Sequence, residues 1–523
     1  MTLSDQDFLG FDAGQFRDLL ARGTLTITAL ISRTLQQIER HDKHGLNLNA
    51  IVSLAPESLL RERARLLDGE LRAGRSRGPL HGIPVVLKDC IATGPELGMT
   101  TSAGSFALLE GKITKNAPLV DRLLASGAVI VGKSNLSELC SFKGEGLIDG
   151  YSPVGGQTIS PYMSTCIELD EGDLSPSSPG GSSTGSAVSV SAGFSLIGIG
   201  TENCGSIVQP SSRQALYSLK LGRGIACAEG CWRASKTLDT IGAMARSARD
   251  LAAASEILLD LDAGSRLLEE GGYASFLTGS VEGLRIGFVD PTLWRLPLDF
   301  WNPTEEAKNQ HVGIQVTFRR LFCVRLYGSK ITYPLTIPQP SELNVGDDDA
   351  PFVVNLFESA ETAKEFFEDY VDAELFIRSL KDMVDFNKCR LERCLPESAP
   401  DQSWLIKAID EKPSPERYVA TRNHMLRVGR DGLAKVFRDN DLDLVIAPMD
   451  SSACVLSTAS GYPIANVPLG RYHLKGQLSR PFGLAVLAPS EQEGSIFRFM
   501  SAYEASFPAR PVPERLVNGA VTL

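Results

Sequence analysis

Between residues 175 and 212 the chain is dominated by serine and glycine, yet Ala187, Val188, Val190, Phe194, Leu196, Ile197 and Ile199 run through it. No other stretch constrains the fold as much. A solvated linker shares the small residues but would not carry so much apolar surface. A backbone packed closely around a site needs both, because small side chains permit close approach and apolar ones hold the segment inside. Short aliphatic runs at 83–87, 128–131 and 444–447 read as buried strands. Helical spacing lies between them. Leu19, Leu20, Leu25, Ile27, Leu30, Ile31, Leu35 and Ile38 share one face, and further helices are expected at about 57–73, 118–126 and 495–505. Helix followed by apolar strand, repeated, predicts one α/β/α domain with a large mixed central sheet covered on both faces. Residues 75–250 would form its core. Residues 260–435, more charged and more aromatic, read as a peripheral, mostly helical region.

Charge narrows the function. The chain of 523 residues has 52 basic and 63 acidic side chains, a net charge of −11, which argues against a general binder of nucleic acid or anionic membrane. The longest apolar run, 187–200, is broken by Ser189, Ser191 and Ser195 and falls short of the ~18 residues a membrane span requires. The opening MTLSDQDFLG lacks the pattern of a secretory signal. Ten cysteines are too dilute for a disulfide framework, none forms Cys-x-x-Cys, and the six histidines lie outside zinc-like spacing. The expectation is a cytoplasmic protein with reduced thiols, no metal and no organic cofactor.

Two motifs match by letter and fail by context. Residues 127–134 (Gly-Ala-Val-Ile-Val-Gly-Lys-Ser) fit the phosphate-loop pattern. A phosphate loop needs a strand before its first glycine, whereas here a helix precedes Gly127 and the intervening residues are themselves a strand. Residues 181–185 fit the nucleophile elbow around Ser183, but an elbow follows a strand, and two prolines precede this one. An esterase of that type would also need a histidine, and His311, His424 and His473 lack supporting context. A third feature is chemically richer. Lys88 ends the apolar run 84–87, and strand alternation puts Asp89 on the opposite face. Burying a lysine penalises its charged form, and a neutral lysine can accept a proton from a serine nucleophile. The bland alternative is a lysine that reaches solvent or pairs with Asp89.

Residues 78–89 (Gly-Pro-Leu-His-Gly-Ile-Pro-Val-Val-Leu-Lys-Asp), 180–185 (Gly-Gly-Ser-Ser-Thr-Gly) and 200–207 (Gly-Thr-Glu-Asn-Cys-Gly-Ser-Ile) resemble, in order, the defining blocks of the amidase signature family. Matching segments at 48–51, 132–138, 155–158, 238–246 and 461–464 extend the resemblance over most of the chain, leaving 260–435 without clear support. The resemblance implies a catalytic Lys88, a bridging Ser182 held by a cis peptide bond, and a nucleophilic Ser206. It implies an oxyanion hole from the backbone amides of Asn203, Cys204, Gly205 and Ser206, and it places Cys140 at a pocket-lining position. The substrate would be a small-molecule amide or ester, attacked to give an acyl-enzyme on Ser206.

Several positions depart from the family pattern. Cys204 replaces a small or acidic residue. Val208 stands where an arginine is frequent, a change shared by a glutamate-containing subgroup with Gly-Ser-Ile-Val. Glu202 then needs another partner, and Arg213 is the nearest basic residue in sequence. Residues 220–222 read Lys-Leu-Gly instead of Lys-Pro-Thr, and 164–178 resembles an acidic insertion before Ser182. An acyltransferase using the same acyl-enzyme is an alternative. A tRNA-dependent transamidation subunit fits the net charge poorly, and retention of Lys88, Ser182 and Ser206 argues against an inactive scaffold. The assembly, a homodimer included, is left open by the sequence, as is the substrate.

Overall fold

The computed structural model describes residues 4–163, 178–290, 328–372, 376–471 and 480–517, together with Gly313 and Glu374. Eleven strands form one mixed sheet. In chain order they are β1 (Ile51–Leu54), β2 (Pro84–Lys88), β3 (Val129–Ser134), β4 (Ile197–Glu202), β5 (Tyr217–Lys220), β6 (Thr240–Ala245), β7 (Arg285–Val289), β8 (Lys330–Leu335), β9 (Leu444–Pro448), β10 (Ile464–Arg471) and β11 (Pro481–Leu487). Their spatial order is β1-β3-β2-β4-β6-β5-β10-β11-β9-β7-β8. β3, β2 and β4 run parallel to one another, and antiparallel pairs continue from β4 through β6, β5, β10 and β11 to β9. The α/β architecture predicted from the apolar runs is the one observed.

The central strands are buried along their whole length because residues on both faces are apolar or small. Helices α1 (Ala13–Ala21), α2 (Ile27–His41), α3 (Glu57–Arg72), α4 (Pro118–Ala125), α5 (Thr184–Ala192), α6 (Val208–Arg213), α7 (Ala248–Leu258), α8 (Ala350–Tyr370), α9 (Pro415–Asp439), α10 (Ala453–Ser460) and α11 (Glu493–Ser506) flank it. The continuous helical face read over 19–38 is split between α1 and α2 at a turn where Gly23 has φ +68° and Thr26 caps α2. Residues 51–54, between the helical stretches read at 19–38 and 57–73, form strand β1, paired antiparallel with β3.

α5 places the glycine-serine stretch at the centre. All nine of its residues are buried, and it packs on β2, β3, β4 and β6. Gly185 shows why the segment must be small: a Cβ there would lie 2.4 Å from the Ala50 carbonyl and 2.5 Å from the Asn135 amide. The region 260–435 supplies α8 and most of α9. It also adds β7 and β8, a parallel pair at the sheet's edge that the charged composition concealed.

Candidate active site

Three buried or nearly buried polar groups meet where β2 and β4 end against the N-terminus of α5. Lys88 and Ser182 are fully buried, while Ser206 is 8 % exposed, so of the three only Ser206 can be reached from outside. Lys88 Nζ lies 2.7 Å from Ser182 Oγ, and Ser182 Oγ donates to Ser206 Oγ at 3.0 Å. Both distances suit direct proton transfer. The Gly181–Ser182 peptide bond is cis. Thr201, the penultimate residue of β4, completes the lysine's surroundings, with its carbonyl oxygen and its Oγ1 each 3.1 Å from Nζ. Among the described residues no carboxylate forms an ion pair with Lys88. Its neighbours are hydroxyls and a carbonyl, a set that can solvate an amine without fixing a positive charge on it.

The strap between β4 and α6 carries Asn203, Cys204, Gly205 and Ser206. Among the described residues the N–H groups of Cys204, Gly205 and Ser206 have no intramolecular acceptor. The next two amides, those of Ile207 and Val208, are taken by Glu202 Oε2 at 2.6 and 3.1 Å. Glu202 thus folds the strap back on itself and leaves its leading amides free beside Ser206. Gly205 makes the bend possible at φ +79°, where a Cβ would also meet Gln209. Arg213 is not the partner of Glu202. It pairs with Asp450 at 3.0 Å, because α6 carries it to the opposite side. The cation facing Glu202 is Lys220, whose amine burial lowers to about 8 against the opposing attraction of Glu202.

The strap is held from outside by three elements. Asn203 Nδ2 donates to Asn355 Oδ1 on α8 at 3.0 Å and to Asp239 Oδ2 at 3.3 Å. Asn203 O accepts from Thr458 Oγ1 on α10 at 2.7 Å. Cys204 Sγ lies 3.5 Å from Cys454 Sγ, also on α10. Asp239 belongs to a matched block, 238–246. Asn355 and Thr458 lie in helices with no motif, and only three-dimensional contact reveals them.

Cys140 sits in a short turn, Glu138–Ser141, where it has φ +60°. Its sulfur lies 3.9 Å from Thr201 Oγ1 and 3.8 Å from Trp232 O. A hydrogen bond with Cys90 lowers its thiol to about 7, while burial and the same contact push Cys90 up. The turn is anchored by a buried Glu138–Lys143 pair at 2.6 Å, and Lys143 also donates to the Cys394 carbonyl at 2.9 Å. Burial raises Glu138 to about 7 against that pairing.

The two failed motifs have structural homes. Lys133 is buried on β3, 3.5 Å from Asp89 Oδ1, and donates to Thr101 Oγ1 at 2.6 Å, so its amine is already occupied. Ser183 precedes the first residue of α5, and its Oγ donates to the Thr201 carbonyl at 3.1 Å instead of capping the helix. Of the acidic insertion, 164–177 lies outside the described residues. Among the described residues no group of three His, Cys, Asp or Glu side chains is arranged to hold a metal ion, and no helix is long and apolar enough to cross a membrane.

A large mixed sheet covered by helices on both faces is the fold that the sequence blocks imply. The family profile described as Amidase matches residues 29–310, and the chain belongs to that family. It is 28 % identical over 477 residues to a probable amidase of Arabidopsis thaliana, covering 89 % of this chain and 85 % of that protein. It is 32 % identical over 490 residues to a putative amidase of Arthroderma benhamiae, covering 90 % of this chain and 78 % of that protein. Among solved structures, the native peptide amidase of Stenotrophomonas maltophilia superposes with a TM-score of 0.80 and 30 % identity, covering 96 % of this chain and 98 % of that one.

Proposed function

We infer that the protein hydrolyses a linear carboxylic amide through a relay of Lys88, Ser182 and Ser206. The observation that carries this reading is the unbroken path from a buried lysine without a carboxylate partner, over 2.7 and 3.0 Å, to a serine that solvent can reach. Ser206 Oγ attacks the amide carbonyl as its proton passes to Ser182 and the Ser182 proton passes to neutral Lys88. The oxygen that becomes negative is received by the free amides of the strap, the Cys204, Gly205 and Ser206 N–H groups among them. Collapse returns the proton through the serines to the departing amine and leaves the acyl group on Ser206. Water, activated over the same path, then releases the acid. Asn203 belongs to this reading as the residue that anchors the strap, and Cys140 as a wall of the pocket beside Thr201.

The similarity to a peptide amidase over nearly the whole chain sets the first substrates to try, amidated peptides alongside simple aliphatic and aryl amides. The test is intact mass after brief incubation with that panel. An acyl adduct that maps to Ser206, and is missing in Ser206→Ala, is the expected result. Undiminished hydrolysis by Ser206→Ala would overturn the assignment.

A further inference from the structure

The strap carries a sulfur at an unusual place. Cys204 supplies one of the free amides next to Ser206, and its side chain points at Cys454, with 3.5 Å between the sulfurs. Cys454 lies in the first turn of α10. One turn later, Thr458 Oγ1 donates to Asn203 O at 2.7 Å and to Cys454 O at 2.9 Å. Residues four apart on a helix share a face, so α10 meets the strap at two consecutive points. The hydrogen bond at the second point fixes the register of the sulfurs at the first. Cys204 is partly exposed and Cys454 is buried, so an oxidant reaches one sulfur while the other waits behind it.

We propose that Cys204 and Cys454 are a dithiol that hydroperoxides oxidise to a disulfide, drawing the strap toward α10 and disabling the amides beside Ser206. With hydrogen peroxide, Cys204 gives up its thiol proton and its sulfur attacks one peroxide oxygen; the O–O bond breaks, the departing hydroxide takes up that proton to become the first water, and Cys204 is now a sulfenic acid. Cys454 sulfur attacks the Cys204 sulfur, its proton goes to the departing oxygen, and water leaves. Two thiols lose two electrons and one peroxide gains them, giving one disulfide and two waters. Forming the bond brings the sulfurs about 1.5 Å closer. The strap is the part that yields, because Gly205 lies within it and α10 is packed on α9.

A displacement of that size next to the reacting carbonyl lowers turnover by about 10²-fold. This consequence for activity rests on the function proposed above; the thiol chemistry does not. The experiment treats the full chain with hydrogen peroxide, quenches with N-ethylmaleimide and maps peptides by mass, with turnover of the best amide measured in parallel. The expected result is a Cys204–Cys454 cross-linked peptide whose appearance tracks the loss of turnover, both reversed by dithiothreitol. Cys454→Ser should give no cross-link; in excess peroxide its Cys204 sulfenic acid takes a second oxygen and becomes a sulfinic acid, and turnover lost that way should not return with dithiothreitol. Oxidation of the exposed Cys389 without any Cys204–Cys454 cross-link would overturn the proposal. So would a Cys90–Cys140 cross-link that alone accounts for the loss. A cross-linked protein that hydrolyses no amide before or after reduction would strike the proposed function and leave the dithiol standing.

Discussion

Lys88 ends β2 and Lys133 is the penultimate residue of its parallel neighbour β3, and both are fully buried. Their surroundings differ in one respect. Lys133 has the Asp89 carboxylate 3.5 Å away, while the other oxygen of Asp89 accepts from the Ser102 amide at 3.0 Å and from its hydroxyl. Among the described residues Lys88 forms hydrogen bonds with Ser182 and Thr201 and no ion pair, Asp239 acting on it only from beyond ion-pair distance. Burial lowers Lys133 and raises Asp89, and their mutual attraction opposes both shifts. A buried lysine with a counterion at ion-pair distance is a structural pair; one whose hydrogen-bond partners are hydroxyls and a carbonyl can exchange protons with them. The Asp89 that follows Lys88 in sequence serves the other lysine, because alternation turns it toward β3.

Exchanging each lysine for methionine breaks the comparison most directly. Lys88→Met should reduce turnover by about 10³-fold or more and leave the chemical-denaturation midpoint near that of the parent. Lys133→Met strands the Asp89 carboxylate in the interior and should cost about 3–5 kcal/mol of stability. Adding Asp89→Asn to Lys133→Met should recover part of that loss. If Lys88→Met is instead the variant that unfolds, the two pockets have the opposite roles.

A smaller effect concerns Lys220, a third buried lysine, whose neighbouring charges are Glu202, Arg223 and Glu493. Its folded value of about 8 lies below the ordinary lysine value near 10.5. Between those values the unfolded chain binds more protons than the folded one. Its contribution to stability is therefore fully present above the unfolded value and is lost as pH falls through about 8. Urea midpoints measured from pH 8 to 10 should rise more steeply for the parent than for Lys220→Met. The difference in slope cannot exceed about 1.4 kcal/mol per pH unit, the limit for one proton. Equal slopes would remove Lys220 from the set of buried lysines without a close counterion.

The two lysine pockets also explain what could be read from sequence. The short aliphatic runs announced β2, β3 and β9 because strands covered on both faces need apolar residues throughout. Lys88, Ser182 and Ser206 could be named through the resemblance of their three blocks to the amidase signature family, Lys88 standing out besides as a charge at the end of an apolar run. The Lys133–Asp89 pair stayed hidden: each residue belonged to a motif with another reading, and only the strand register joins them. The partner of Glu202 was misjudged because nearness in sequence suggested Arg213, whereas two amides five and six residues on fold back to it. β7 and β8 were invisible for a different reason. Edge strands such as β8 stay partly exposed and lack the continuous apolar signal of the centre.

The last difference between the pockets is where their support comes from. The contacts of Lys133 are drawn from β3 and from residues 89–101, so that pocket is built locally. The Lys88 path ends at a strap steadied by distant helices, through Asn355 on α8 and Thr458 on α10. Removing one of those neutral hydrogen bonds should cost about 1 kcal/mol, or roughly a fivefold fall in rate. If the strap's task is to receive negative charge in the transition state, that loss falls on kcat and leaves KM nearly unchanged. Thr458→Val and Asn355→Ala test this by steady-state kinetics, the first keeping the side-chain shape. The pair of changes acts on one residue, Asn203, so their effects should not add when combined. A rise in KM at constant kcat in both variants would make the strap a wall of the substrate pocket rather than the receiver of charge.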